Sequence, residues 1–376
     1  MSFIPINKSL GKLSGPLLLF GGAYSNLQAL LALRAEAERR GIPPQNVICC
    51  GDTPGYCADP EACLELVEAW GIHAIAGNVE TNLVLGRDDC GCGFGDGSRC
   101  DMFAKLWYNY AANNITEKNK AYMAGLPDVL RFTYAGKSVA VLHGSPRNQS
   151  EFVWRSTPAE LKAQFAGNAG YGPDNLRGAE VVIGGHCGVP FGHVLNSSGE
   201  ALGVQRPWAR RASEGRETDD DHTLIHGGSS TRRTSRSSNV ATPRPTREAS
   251  LWLNAGVIGM PANDGTPRTW FMTLDDANGF DFQFHPLHYD HRAAKARMLD
   301  DRRLPVSYAA TLTTGIWDNT EIMPPAEEAR EGIPLDPLEL KNEVFGHTVK
   351  QSNSQTGGAR ADALARYQSA PRQASG

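Results

Sequence analysis

Four residues with side chains that commonly bind metal ions each lie beside a glycine and follow an apolar run. They are Asp52, Asn78, His143 and His186. Each stands at the end of an apolar run that predicts a buried strand, namely NVICC, IHAIA, VAVL and VVI. Polar side chains at the carboxyl ends of successive strands converge on one edge of an open sheet. Carboxylate, amide and imidazole groups gathered there predict a metal site.

The elements that position these residues predict an α/β fold. The first part of the chain alternates strand PLLLF, a helix over 26–40, a strand at 47–50, a helix over 60–70 and a strand at 72–76. Apolar residues at helical spacing indicate the helices, Gly41 closes the first, and Pro60 opens the second. This alternation is typical of parallel strands joined by crossover helices.

Beyond residue 86, strands and helices no longer alternate regularly along the sequence. Segment 87–100 is rich in glycine and cysteine and predicts a loop, and LRFTYAGKSVAVLHG predicts a hairpin that leads into His143. LWLNAGVIG and RTWFMTL predict two strands around a turn at 262–266. Further elements are a strand at 180–183 and helices at 102–113, 116–124, 157–165, 289–300 and 305–314.

Composition excludes several classes of protein. The chain has 376 residues, 40% of them hydrophobic, and a net charge of −4, which argues against a general nucleic-acid or polyanion binder. No run approaches the ~18 apolar residues of a membrane span, and the start is not typical of a signal peptide. We therefore expect a cytoplasmic protein with no membrane partner, in which the eight cysteines are thiols or metal ligands.

The composition also divides the chain into segments. Residues 197–250 are rich in Ser, Thr, Arg and Pro and predict a disordered insertion. We expect an N-terminal extension at 1–16, a main domain at 17–290 that contains the insertion, a helical extension at 291–347 and a disordered tail at 348–376.

The motifs in this order resemble the calcineurin-like metallophosphoesterase superfamily, in particular its small bacterial phosphodiesterase and diadenosine-tetraphosphatase-related branch. That family carries Asp-x-His, Gly-Asp, Gly-Asn, His-Gly and Gly-His-x-His. The second, third and fourth of these blocks are matched in CCGDTPGYCADPEACLELVEAWGIHAIAGNVE and LHGSPRNQSEF, GGHCGVPF resembles the fifth, and LNAGVIGMPANDGTPR resembles the closing turn. The resemblance implies a four-layer α/β/β/α sandwich of two mixed sheets.

The resemblance implies that Asp52, Asn78, His143 and His186 complete one metal position. The divalent ion is unidentified, because mixed nitrogen and oxygen ligands suit Mn, Fe, Zn and Ni alike. Glu80 matches a family residue that supports its neighbours rather than binding metal.

The other metal position of the family lacks its ligands in this chain. Gly22 and Tyr24 stand in place of Asp-x-His, and Gly188 stands in place of the final histidine. Val79 replaces the histidine that serves some members as general acid, so that leaving-group protonation falls to water or another residue.

The function that the resemblance implies is a metal-dependent phosphoesterase that hydrolyses phosphomonoesters or phosphodiesters through metal-activated water. The substrate is expected to be a small-molecule or nucleotide phosphoester. Asp52 and His143 are candidates for catalysis, together with Tyr24 as a phosphate hydrogen-bond donor and Arg147 as a phosphate clamp.

Three outcomes remain open for the incomplete site. The first is a hydrolase with one metal ion, and the second is an inactive relative that binds metal or a phosphorylated ligand. The third is a rebuilt second site, with ligands from Cys187, His193 or the loop that holds Cys90, Cys92 and Cys100. The spacing of Cys90, Cys92 and Cys100 differs from that of the usual Cys-x2-Cys pair, so the interpretation that these thiols only pack in a loop is equally open.

Overall fold

The computed structural model describes residues 6–95, 97–167, 179–195 and 250–344. The insertion predicted for 197–250 lies outside these residues except for its last residue, and the tail predicted for 348–376 lies outside them entirely.

Two mixed β-sheets form the centre of the fold. The strands are β1 (Asn7–Lys12), β2 (Leu17–Phe20), β3 (Val47–Cys49), β4 (His73–Ala74), β5 (Val129–Tyr134), β6 (Lys137–Leu142), β7 (Val181–Gly184), β8 (Phe191–Leu195), β9 (Ser250–Asn254), β10 (Thr269–Asp275) and β11 (Asp281–Leu287). The six-stranded sheet has the order β1-β5-β6-β7-β9-β8, and the five-stranded sheet has the order β11-β10-β2-β3-β4. Strands β2, β3 and β4 are parallel, as are β6, β7 and β9.

Helices lie on the outer faces of the sheets and at their ends. They are α1 (Leu27–Arg39), α2 (Pro60–Trp70), α3 (Asn78–Val84), α4 (Arg99–Asn113), α5 (Glu117–Ala124), α6 (Ala159–Gly167), α7 (His291–Leu299), α8 (Val306–Thr314), α9 (Pro325–Glu328) and α10 (Pro337–Val344). Helix α1 begins where the Asn26 side chain accepts a hydrogen bond from Ala29 N at 3.1 Å. Helix α2 ends at Gly71, whose φ of 72° suits the left-handed position after a helix.

The alternation of side chains along β2 shows how the layers are packed. Leu17 and Leu19 lie in the core between the two sheets, together with residues of β6 and β7. Leu18 and Phe20 point to the other face, where they pack with residues of α1 and α2. Both faces of the strand are covered, which explains its uninterrupted apolar sequence. The predicted α/β sandwich of two mixed sheets is confirmed.

The strands predicted on either side of the turn at 262–266 are present but do not pair with each other. Strand β9 lies in the six-stranded sheet, and β10 lies in the five-stranded sheet. The chain crosses between the sheets at Gly256, where φ is +75° and a Cβ atom would lie 2.8 Å from Trp270 Cβ. A residue with a side chain would therefore not fit at this crossing.

Strand β1 and helix α3 are among the elements of the fold that were not predicted from the sequence. Strand β1 extends the six-stranded sheet by pairing with β5, and the short helix α3 begins at Asn78. Across the described ranges, no helix is long and apolar enough to cross a membrane.

Candidate metal centre

The four predicted ligands follow strands of both sheets. Asp52 lies after β3 and Asn78 after β4, both in the five-stranded sheet, whereas His143 follows β6 and His186 follows β7 in the six-stranded sheet. The expectation that they share one edge of a single sheet is therefore wrong. Because the two sheets pack face to face, the carboxyl ends of β3 and β4 lie close to those of β6 and β7.

The ligand atoms meet around His143 Nε2. This atom lies 3.2 Å from Asp52 Oδ2, 3.0 Å from Asn78 Oδ1 and 3.0 Å from His186 Nδ1. All four residues are buried. The structure thus brings together every residue that was predicted to hold the metal.

Hydrogen bonds on the far side of each group fix which atom faces the centre. His143 Nδ1 lies 2.7 Å from the carbonyl oxygen of Cys50, and His186 Nε2 lies 3.2 Å from that of Ser150. A carbonyl oxygen only accepts, so these nitrogens carry the hydrogens in the neutral rings and the opposite nitrogens offer electron pairs.

The amide of Asn78 is oriented in the same way. Its Nδ2 donates to the Cys90 carbonyl oxygen at 2.8 Å and to Cys92 Sγ at 3.3 Å, which directs Oδ1 toward the centre. The loop cysteines therefore contact a ligand residue from behind, a support that metal ligands commonly have.

This donor set fits a divalent metal ion. Asp52, His143 and His186 each offer one ligand atom, and these atoms all lie within 4.8 Å of one another. With Asn78 Oδ1 they make two oxygen and two nitrogen donors, a set that suits first-row transition ions. No second group of three such side chains occurs in the described part of the chain.

Charges within the group are set by burial and proximity. Burial would raise the pKa of Asp52, but His143 beside it lowers the pKa overall. Burial, followed by the influence of His143, lowers the pKa of His186 to about 3. Burial would also lower the pKa of His143, yet Asp52 raises the pKa above its ordinary value. The pKa shifts of these three groups thus reflect their burial and their closeness to one another.

Glu80 supports the turn that carries Asp52. Its carboxylate accepts hydrogen bonds from the backbone N–H of Asp52 at 3.0 Å, Thr53 at 2.7 Å and Gly77 at 2.9 Å. Burial, and next the charge of Asp52, raises the pKa of Glu80 to about 7. The family-implied role of Glu80, support rather than ligation, agrees with these contacts.

Glycine is required where the two turns of the five-stranded sheet approach each other. A Cβ at Gly77 would lie 2.2 Å from Asp52 Oδ1, and a Cβ at Gly51 would lie 2.8 Å from Gly77 N. The glycines that precede Asp52 and Asn78 therefore make room for the ligand set.

The ring of Tyr24 occupies the space beside the centre. A Cβ at Gly22 would lie 2.3 Å from Tyr24 Cε1, so the ring covers Gly22. Burial, and next Asp52, raises the pKa of the Tyr24 phenol, which is therefore neutral. At the third altered position, a Cβ on Gly188 would meet the ring of Trp317 at 3.5 Å.

A cavity with about 680 Å³ of empty space, including its opening to solvent, adjoins the ligand His186. Aliphatic, polar and aromatic side chains line it, and the aromatic ones are Tyr24, Tyr56, Phe94, Phe152, Trp154, Tyr308 and Trp317. Concave, largely apolar sites with a few polar groups are the usual form of small-molecule sites.

We compared the sequence and the structure with those of known proteins. No protein-family model matches the chain. An uncharacterized protein of Methanocaldococcus jannaschii is 26% identical over 168 residues, which are 45% of this chain and 60% of that relative. The match thus spans less than two thirds of the relative's length.

Two solved structures are similar over most of the chain. A metallophosphoesterase from Sphaerobacter thermophilus has a TM-score of 0.51 at 21% identity and is covered to 100%, with 81% of this chain covered. A hypothetical protein from Pyrococcus horikoshii has a TM-score of 0.53 at 14% identity and is covered to 99%, with 80% of this chain covered. The chain has the metallophosphoesterase fold. The predicted resemblance is confirmed at this level.

Within this metallophosphoesterase fold, Arg147 does not line the cavity. Its guanidinium pairs with Glu151 at 2.5 Å and stacks over Phe165 at 4.8 Å from the ring centre, with 57% of the side chain exposed. The role of a phosphate clamp stays a prediction, and this ion pair would have to open first.

The side chains considered for a rebuilt second site have other contacts. His193 Nδ1 lies 2.9 Å from Lys162 Nζ. Cys187 lines the cavity, but burial raises the pKa of its thiol to about 12, so the group is uncharged. Cys100 lies in the first turn of α4 rather than in a loop.

Apart from Tyr24, the aromatic wall is the part of the site that sequence reasoning missed. Its members stand as far apart in the chain as Tyr24 and Trp317, and no spacing pattern relates them. The one available signal was the cluster of Phe152 and Trp154 directly after the His143 block.

Proposed function

We propose that this chain is a metal-dependent phosphoesterase that hydrolyses phosphomonoesters or phosphodiesters with a single divalent ion. The observation that supports it best is the meeting of Asp52, Asn78, His143 and His186 with their electron pairs directed to one point. Hydrogen bonds to backbone carbonyl oxygens orient the side chains of Asn78, His143 and His186 in a way that suits ligation.

The ion would polarise the phosphoryl group and lower the pKa of a water molecule. Mn, Fe, Zn and Ni all suit the donor set. The protein's own contribution is to hold the ligands, to limit the number of ions and to position the phosphoester beside them.

Tyr24 is the residue that we assign to phosphate positioning. Its phenol lines the cavity next to the ligand set, and its raised pKa keeps the hydroxyl hydrogen available for donation. Because its ring also fills the space over Gly22, it leaves no room there for a carboxylate ligand. The same residue therefore supports both a single metal position and a phosphate contact.

Protonation of the leaving group is assigned to water. Position 79 is a fully buried valine, so it offers no acid at the start of α3. An open cavity beside the ligands admits solvent for this step.

The second candidate is a catalytically inactive protein that binds metal or a phosphorylated ligand. It is favoured by the same filling of the space over Gly22, because loss of one ion removes charge that stabilises a transition state. Binding without turnover would distinguish it from the enzyme.

The test is hydrolysis of bis-p-nitrophenyl phosphate and p-nitrophenyl phosphate with added Mn²⁺. We expect release of p-nitrophenolate by the wild type and none above background by His143→Ala, which lacks a central ligand. His288→Ala, on an exposed histidine, is the matched control and should keep the wild-type rate. Equal rates in His143→Ala and the wild type would contradict the proposal.

A further inference from the structure

The aromatic cavity is continuous with the candidate metal centre. His186 is both a member of the ligand set and part of the cavity wall, so the substituent of a phosphoryl group bound at the centre would have room in the cavity. The centre of the Phe152 ring lies 4.0 Å from that of the His186 ring. Phe152 also stacks on Trp154, with ring centres 5.2 Å apart and an angle of 6° between the ring planes. One patch of flat wall therefore begins directly beside the ligand.

A second patch of wall begins at Tyr24. The centres of the Tyr24 and Tyr56 rings lie 4.6 Å apart, and the centres of the Tyr56 and Tyr308 rings lie 5.6 Å apart. Tyr56 is backed by the buried ring of Trp107, stacked at 4.5 Å and 23°. This patch is therefore fixed in place.

Trp317 is also held rigidly. Its Nε1 donates to the carbonyl oxygen of Pro261 at 2.7 Å, and its backbone N–H donates to Asn263 Oδ1 at 2.7 Å. A preformed wall binds a rigid ligand with little loss of conformational entropy. Aromatic faces favour other aromatic rings through stacked or edge-to-face contacts.

Among the described residues that line the cavity, one has an acidic side chain, and that side chain already has a basic partner. Asp318, the acidic residue of the wall, is paired with Arg99 through two hydrogen bonds of 2.9 Å. Cys100 is uncharged, because burial raises the pKa of its thiol to about 11. An occupant that matches this wall carries its charge at one end and none at the other.

We propose that this cavity binds a planar aromatic group that is joined to the phosphoryl group at the metal centre, so that the substrate is an aromatic phosphoester. This inference rests on the proposed phosphoesterase function and specifies its substrate class. The aromatic group could be a nucleobase or a simple aryl ring, and both have the flat, uncharged face that the wall matches.

The test measures binding of nonhydrolysable phosphonates to the Zn²⁺-loaded protein by titration calorimetry. We expect phenylphosphonate to bind about tenfold more tightly than methylphosphonate, which corresponds to ~1.4 kcal/mol. Cyclohexylphosphonate serves as an apolar control without a flat ring and should lack most of this advantage. The methylenephosphonate analogue of AMP shows whether a nucleobase exceeds the phenyl ring, and a preference for either one supports the proposal.

Variants of Trp317 connect the preference to the wall. Trp317→Ala should bring the ratio of phenylphosphonate to methylphosphonate affinity close to one, whereas Trp317→Phe should keep most of the ratio because a ring remains. Thermal unfolding of both variants shows whether each is folded, and Trp317→Phe retains the test if Trp317→Ala does not fold.

The outcomes separate this inference from the proposed function. Equal affinities for methyl, cyclohexyl and phenyl phosphonates would overturn the aromatic preference while leaving a phosphate site in place. Equal affinities for the cyclohexyl and phenyl compounds alone would also overturn it, because the cavity would then select apolar rather than planar groups. Failure of every phosphonate to bind would overturn the phosphoesterase proposal together with this inference.

Discussion

Asp52 is held in an uncommon backbone conformation at the centre of the proposed site. Its φ of 59° lies in the left-handed region, which non-glycine residues adopt rarely. Such a conformation costs on the order of 1–3 kcal/mol and persists only where surrounding contacts impose it. The hydrogen bonds from the N–H groups of Asp52 and Thr53 to Glu80 are contacts of this kind.

Glu80→Gln should weaken metal binding without unfolding the protein. The amide has one acceptor oxygen in place of two, so at least one of the three N–H groups now bound to Glu80 loses its partner. Groups that support metal ligands typically contribute ~10–100-fold in affinity, and we expect a loss of that size in calorimetric titration with Zn²⁺. Glu65→Gln, on the exposed side of α2, is the control. Wild-type affinity in Glu80→Gln would show that the carboxylate has no such role.

At the scale of elements, the loop between β2 and α1 decides how much space remains next to the ligands. Gly22 and Tyr24 lie two residues apart in this loop, and the ring of Tyr24 occupies the position that a Cβ atom of residue 22 would take. Tyr24 and Ser25 both have positive φ, of 50° and 58°, which turns the ring back over the chain. The backbone conformation of the loop therefore depends on where the Tyr24 ring lies.

Gly22→Ala should destabilise the wild type by ~1–3 kcal/mol, because an added Cβ would lie 2.3 Å from the Tyr24 ring. In a Tyr24→Ala background the same change should cost much less, and a double-mutant cycle by urea unfolding measures the difference. Gly95→Ala, at a site with nothing within 4 Å, is the matched control. Equal costs in both backgrounds would mean that the ring does not lie over Gly22.

Helices α1 and α2 could be predicted because their signals are local. Apolar spacing, Pro60 and the flanking glycines marked their ends to within one or two residues. Strand β1, with the sequence NKSLGK, lacks apolar alternation because it is an exposed edge strand. Helix α3 has seven residues, too few for a helical period to show, and its first residue is a proposed metal ligand.

Those parts of the candidate site that have a local sequence signal could be predicted, and the other parts could not. The four ligands follow strands directly, and their order in the sequence matches a known family pattern. The aromatic cavity depends on contacts between distant segments, such as Tyr56 with Tyr308, which only the folded chain brings together. The assignment of the ligands to two sheets was missed for the same reason.

At the scale of the whole molecule, the site lies where the two sheets meet. Each sheet supplies two ligands, so the donor set is complete only when the sheets are packed together. Segments beyond residue 291 add Tyr308 and Trp317 to the cavity. The predicted division into a main domain and a C-terminal extension stays a prediction, but residues from both line one cavity.

Metal stoichiometry tests the central claim most directly. The protein is reconstituted with excess Zn²⁺ or Mn²⁺, freed of unbound ions, and its metal content per chain is measured by mass spectrometry, for the wild type and for His186→Ala. We predict one tightly bound ion per wild-type chain and a clear loss of that ion in His186→Ala. Two ions per wild-type chain, or one ion retained in His186→Ala, would contradict the single metal centre formed by Asp52, Asn78, His143 and His186.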